Sequence, residues 1–199
     1  FKMGYSDYAN QEKFAELLRF DSSALEKEGD ITSLAEYVER VKEDQKEIYF
    51  MSGPSRDALK TDPHLEIFRR KGIEVLFMYD PVDEFVMSGV PKYKSDYTLT
   101  AVEQADLSKL EKIEDVEKED SELEQMSDGE EKVFGKLLKK IKDILGDRVT
   151  DVRESKRLRD SASCLVSPEG EMTSQMQKMM QMMNKDATIP KKVFEINKD

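Results

Sequence analysis

Side chains able to do chemistry are scarce in this sequence. His64 is the one histidine and Cys164 the one cysteine. His64 follows Pro63 within a helical pattern and has no Cys or His at metal-ligand spacing, so an ordinary structural role is expected. Cys164 lies in an apolar segment beside Leu165 and reads as a small buried hydrophobe. A nucleophilic thiol would need a neighbouring base, and no second histidine exists to supply one. Asp83 and Glu84 are adjacent carboxylates, but neighbouring helix positions point about 100° apart. They read as a solvated helix start rather than an acid–base pair. Neither G-x-x-x-x-G-K-S/T nor G-x-G-x-x-G occurs, so no glycine-rich loop offers to cradle phosphate. The acidic stretch around Gly129 lacks a bidentate acid at the offset a calcium loop requires. The residues point away from an enzyme and name no metal or cofactor.

The stretch that stands out is apolar. "EMTSQMQKMMQMMNK", residues 171 to 185, holds six of the eleven methionines. Wound as a helix, Met172, Met176, Met179, Met180 and Met183 fall on one stripe roughly 100° wide. Met182 flanks it, and Gln177, Lys178, Gln181 and Asn184 take the opposite face. Such a stripe is more often core than contact surface, and the residues alone leave both readings open. Leaving it exposed would forgo about 1.5–3 kcal/mol of burial per side chain.

Composition narrows the field. The chain has 199 residues, with 32 Lys and Arg against 43 Asp and Glu, a formal net charge of −11. Nucleic acid is disfavoured as a partner, because phosphate contact needs a net basic face. No apolar run reaches the roughly 20 residues that span a bilayer, so no membrane partner is expected. A lone cysteine fits a reducing, cytoplasmic setting. The N-terminal "FKMGYSDYANQEK" has no signal-peptide pattern.

The elements follow from periodicity. Residues 1–43 read as helices: Phe14, Leu17 and Leu18 share a face, and Ser33 with Glu36 forms a capping box before Leu34, Tyr37, Val38 and Val41. "EIYFMSG" (47 to 53) reads as a strand closed by Gly53-Pro54. A helix broken at Pro63 and stopped at Gly72 follows. "IEVLFMYD" (73 to 80), apolar on both faces, belongs inside a covered parallel sheet. "PVDEFVMSG" reads as a short helix with Pro81 in its first turn, and "YTLTAV" as another strand. From Asp106 to Glu131 twelve acids meet three lysines, which reads as a linker or solvated helix. Beyond it "EEKVFGKLLKKIKDILG" restores a helix, with Val133, Phe134, Leu137, Leu138, Ile141, Ile144 and Leu145 expected inward and Gly146 as its stop. Two strands, the Met helix and a last strand, "KKVFEIN", complete the chain. The basic surplus of residues 132 to 160 could pair with the acidic stretch. The expected fold is mixed α+β: a helical segment, a small layered α/β/α module, then a partial α+β domain.

Three stretches also carry a likeness: "SLAEYVERVKEDQKEIYFMSG" (33 to 53), "PHLEIFRRKGIEVLFMYDPVDEF" (63 to 85) and "LGDRVTDVRESKRL" (145 to 158). Together they resemble the heat-shock protein 90 chaperone family, most closely its bacterial, high-temperature protein G type, in order over nearly the whole chain. The resemblance implies residues 1–104 as the end of the middle domain (helices 1–43, α/β module 44–104). It implies 105–130 as an acidic linker and 131–199 as a partial C-terminal domain without its dimerisation helices. It places the ATP pocket, its magnesium and the catalytic arginine loop of the intact ATPase outside this chain, leaving a fragment with no cofactor or catalytic site. The implied partners are unfolded or partly folded client proteins, other domains of the same chaperone and, in the intact protein, a homodimer. It also implies client-binding positions: Met172, Met176, Met179 and Met180 on the amphipathic segment, and Glu84 and Phe85 on the short helix. Phe85 stands where the bacterial pattern often has tryptophan, which keeps an aromatic anchor and loses the indole N–H. Two rival readings are a fragment that itself hydrolyses ATP and a scaffold binding only its neighbouring domains, with the Met stripe as core.

Overall fold

A computed structural model describes residues 7–27, 29–80, 82–116, 127–168, 171–183 and 190–198. In chain order the first part contains α1 (Gln11–Leu17), β1 (Asp21–Ser22), α2 (Leu34–Arg40), β2 (Glu47–Ser52), α3 (Arg56–Lys60), α4 (Glu66–Arg70), β3 (Val75–Met78), α5 (Asp83–Gly89), β4 (Lys92–Tyr93), β5 (Tyr97–Ala101) and α6 (Leu107–Leu110). The second part contains α7 (Asp128–Leu145), β6 (Val149–Glu154), β7 (Ser163–Val166), α8 (Ser174–Met183) and β8 (Lys192–Ile196). The class is mixed α+β, as the sequence implies.

The first part is a five-stranded sheet in the order β1-β3-β2-β5-β4. Its centre is parallel, β2 pairing with both β3 and β5, and its two-residue edges β1 and β4 run antiparallel. Alternation explains why β2 and β3 are apolar throughout. Ile48, Phe50, Leu76 and Met78 point to one core with Phe14, Leu34, Tyr37 and Val86 of the helices. Tyr49, Met51, Val75 and Phe77 point to a second core with Leu59, Ile67, Phe68 and Leu110. A sheet covered on both faces leaves no position for a polar alternate.

Local signals act as the sequence suggests. Glu36 N–H donates to Ser33 Oγ at 3.2 Å while Ser33 N–H donates to the Glu36 carboxylate at 2.7 Å, closing the capping box that starts α2. One turn on, the Tyr37 hydroxyl donates to the Glu74 carbonyl at 2.7 Å and accepts from Tyr49 N–H at 3.1 Å, tying α2 to the sheet. The chain breaks after α3 and restarts as a single turn at Pro63–Leu65 before α4. Gly72 has φ +59°, and a Cβ there would lie 2.9 Å from Val116 Cγ1, so conformation and space both require glycine.

Two expectations change. The acidic stretch is not purely a linker. Its first residues form α6, Leu110 is buried in the second core, and Asp115 pairs with Lys71 at 2.6 Å. Residues 117–126 lie outside the described residues. The apolar stripe of α7 does not face inward either. Val133 and Ile144 are 66% and 63% exposed, Leu137 is exposed, and Phe134, Leu138, Ile141 and Leu145 are half-buried. The reason is contact. α7 meets β6 near its C-terminal end, where Lys142 Nζ donates to the Val149 and Thr150 carbonyls at 3.2 and 2.5 Å. The sheet beside it, ordered β6-β8-β7, has among the described residues a buried cluster of Leu158, Cys164, Val166 and Val193. Gly146, at φ +51°, ends α7 as expected.

Candidate interaction surface

The methionine helix is placed by its polar residues. Thr173 Oγ1, just before α8, donates to the Glu84 carboxylate of α5 at 3.1 Å and accepts from Met176 N–H at 3.2 Å. Ser174 donates its hydroxyl and its N–H to Glu103 at 2.8 and 3.1 Å. Lys192 Nζ lies 2.8 Å from Ser174 Oγ and 2.6 Å from Ser167 Oγ. Ser167 in turn donates to Glu103 at 3.0 Å. The surface under α8 is therefore polar. A helix buries whichever face that surface can satisfy, because an unmet buried polar group costs more than an exposed thioether.

This reverses part of the expected orientation. Gln177, expected outward, is buried at 7% exposure and donates from Nε2 to the Met172 carbonyl at 2.8 Å. Lys178 and Gln181 stay exposed, and Asn184 lies outside the described residues. Met182 and Met183 are 83% and 80% exposed, Met172 and Met180 both 44%, and Met176 and Met179 half-buried. None of the six joins a buried cluster.

Glu84 also departs from expectation. Expected to be solvated, it is only 4% exposed, turned under α8 by its bond to Thr173. Burial pushes its carboxyl above the ordinary carboxylate range. The nearby charges of Glu103 and Asp83 add to the rise, and the hydroxyls of Ser52 and Thr173 oppose it. Phe85, next along α5, is half-buried, while Val86 and Met87 pack into the core. The fold thus brings the start of α8 against α5, so two of the predicted segments adjoin at the Glu84–Thr173 bond.

Sequence reasoning missed the seam that holds the two sheets together. Glu66, at the start of α4, accepts backbone N–H bonds from Arg159, Asp160 and Ser161 at 2.6, 3.0 and 3.2 Å, and the Ser161 hydroxyl as well. Burial works to raise its pKa, but these donors together hold it below the ordinary range. His64 keeps a structural place here: its ring nitrogens lie 2.7 Å from Asp62 and 3.1 Å from the Leu165 carbonyl. Behind the seam Glu195 is opposed by burial but held low by Arg157 and Arg153, at 2.9 and 2.7 Å. Burial raises the Cys164 thiol to about 12, the state of an inert side chain. Glu66 and Glu103 carry no local sequence signal, since their partners lie about 60 to 95 positions away. Among the described residues no group of three or more His, Cys, Asp or Glu is placed to hold a metal ion. Nor is any described helix long and apolar enough to cross a membrane.

This arrangement joins two sheets through buried polar contacts and leaves methionines open to solvent beside them. The sequence model of the Hsp90 protein family matches residues 1–199, and the chain belongs to that family. It is 48% identical over its full length to the chaperone protein HtpG of Oleidesulfovibrio alaskensis and 47% identical to that of Nitratidesulfovibrio vulgaris. It is also 45% identical over 193 residues to the HtpG of Geobacter sulfurreducens. The chain spans 31% of the length of the first two relatives and 29% of the third.

Proposed function

We propose that this chain is the client-holding and domain-coupling part of an ATP-driven, homodimeric cytoplasmic chaperone. Unfolded segments are held on the methionine surface of α8. Met172 and Met180 form its core, with Met182 and Met183 extending it. Met176 and Met179 contribute from their half-buried positions, and Phe85 of α5 flanks it. Glu84 serves as the post on which α8 is mounted rather than as a client contact. The observation that carries this reading is that Thr173, just before α8, and Gln177 within it are buried while Met172, Met180, Met182 and Met183 are exposed.

Physical chemistry favours the role. Methionine is unbranched and polarizable, so one surface can repack against many unrelated apolar segments. A cluster of exposed large apolar side chains marks an interaction site more often than an accident. The seam supplies the second half of the role. Glu66, Glu84 and Glu103 each take hydrogen bonds from the other sheet's residues, so a change of angle between the sheets must move α8. We assign nucleotide and magnesium binding in the intact chaperone to other segments, as the family resemblance implies.

The test is a fluorescence titration of a labelled, unfolded model protein with the chain and with a variant carrying Met172→Ser, Met180→Ser, Met182→Ser and Met183→Ser. Affinity is expected to fall on the order of tenfold, with an unchanged thermal melt. Equal affinity would remove α8 from the client site and favour a scaffold that binds only neighbouring domains.

A further inference from the structure

We infer that α8 is a methionine-oxidation site, and that its sulfoxide form releases clients. The release half rests on the client-holding reading above; the modification half does not. The nine methionines among the described residues, and the one thiol, differ widely in access, with Met176 and Met179 half-buried. Met51, Met78 and Met87 are buried in the five-stranded module, whereas Met172, Met180, Met182 and Met183 stand open to solvent within twelve residues of each other. The thiolate that usually takes peroxide first is withheld, because Cys164 is buried in its own small cluster. The most accessible soft nucleophiles among the described residues are therefore thioethers on α8 and at Met172 just before it.

The chemistry is a two-electron oxygen transfer. A sulfur lone pair attacks one oxygen of a hydroperoxide, the S–O bond forms as the O–O bond breaks, and the other oxygen leaves as water or alcohol after proton transfer. Sulfur is oxidised to the sulfoxide and the peroxide reduced. A dithiol-dependent sulfoxide reductase reverses the step, its dithiol becoming a disulfide as the oxygen leaves as water. Each sulfoxide puts a strong hydrogen-bond acceptor on a surface that otherwise welcomes apolar segments. A client that covers it must then desolvate that oxygen. The helix itself is not undone, since its anchoring contacts run through Thr173 and Ser174 rather than through the exposed sulfurs.

The experiment is limited hydrogen peroxide treatment of the chain, mapped by peptide mass spectrometry, with client titration before and after. The expected result is oxygen addition first on residues 172–183, with Met51, Met78, Met87 and Cys164 unmodified. Client affinity should fall on the order of tenfold, the thermal melt should hold, and a methionine sulfoxide reductase with dithiothreitol should restore binding. In a variant carrying Met172→Leu, Met180→Leu, Met182→Leu and Met183→Leu, whatever client affinity remains should not change on peroxide treatment. Oxidation spread evenly over the buried methionines, or beginning at Cys164, would overturn the site. Selective oxidation of α8 with unchanged affinity would overturn the release step while leaving client holding intact. If the variant carrying Met172→Ser, Met180→Ser, Met182→Ser and Met183→Ser binds as well as the parent, the client reading fails and the release step with it.

Discussion

The two sheets solve the same problem with unequal means. Around β2 and β3, helices cover both faces, and rings and branched side chains fill two cores. Around β8, the buried cluster among the described residues consists of four small or medium side chains, while much of the apolar surface of α7 and α8 faces solvent. The first module holds itself together by burial. The second depends on buried charge, with Arg153, Arg157 and Ser155 converging on Glu195, and on the carboxylates its neighbour extends to it. Apolar burial is non-directional, whereas hydrogen bonds to carboxylates weaken with small changes of distance and angle. The difference fits a rigid platform bearing a surface that can be re-aimed.

The sharpest way to break that comparison is to truncate the platform. Phe68 is fully buried on α4, edge-on to Tyr49 with ring centroids 4.9 Å apart. Phe68→Ala should cost about 3–5 kcal/mol, measured by urea denaturation. A loss below 1 kcal/mol would mean that the first module is not the stability centre.

The platform was also the legible part. The capping box of Ser33 and Glu36, the run of β3, the break at Pro63 and the stop at Gly72 are local rules, written within four to eight residues. β1 and β4 were not legible because two residues carry no period. α6 was hidden by its acidic surroundings, where only Leu110 and its neighbours mark a buried edge. The site was half legible. The methionine stripe stood out by composition, but which face α8 would bury depended on Glu84 and Glu103, far off in sequence and polar. Periodicity assumes that the surface beneath a helix is apolar, and here it is not.

The seam tests the second half of the comparison through two carboxylates with opposite signs. Glu66 is held low in the folded state, so its contribution is present above its unfolded value near 4.3 and fades as pH falls through the lower folded value. Glu66→Gln should therefore destabilise by about 1.5–3 kcal/mol at neutral pH and by much less in acid. Glu84 is held high, so its cost is absent below the unfolded value and grows as pH rises through the folded one. Glu84→Gln keeps an acceptor for Thr173 and should stabilise at neutral pH, on the order of 1 kcal/mol, with the gain vanishing in acid. Denaturation midpoints followed from about pH 3 to pH 7 would show the two variants converging on the parent from opposite sides. Parallel lines would mean that neither carboxylate is tuned by the seam.

The smallest effect belongs to α7. Val133 and Ile144 are more than half exposed, and the helix touches the sheet mainly where Lys142 meets Val149 and Thr150. Replacing both with serine should change stability by no more than about 0.5 kcal/mol, since solvent already covers them. The measurement is a denaturation midpoint at two protein concentrations. A large loss that grows on dilution would mean that a second copy of the chain covers the stripe. A large loss independent of concentration would mean that α7 packs more closely on its own sheet than its exposure allows, and the contrast between the two modules would narrow accordingly.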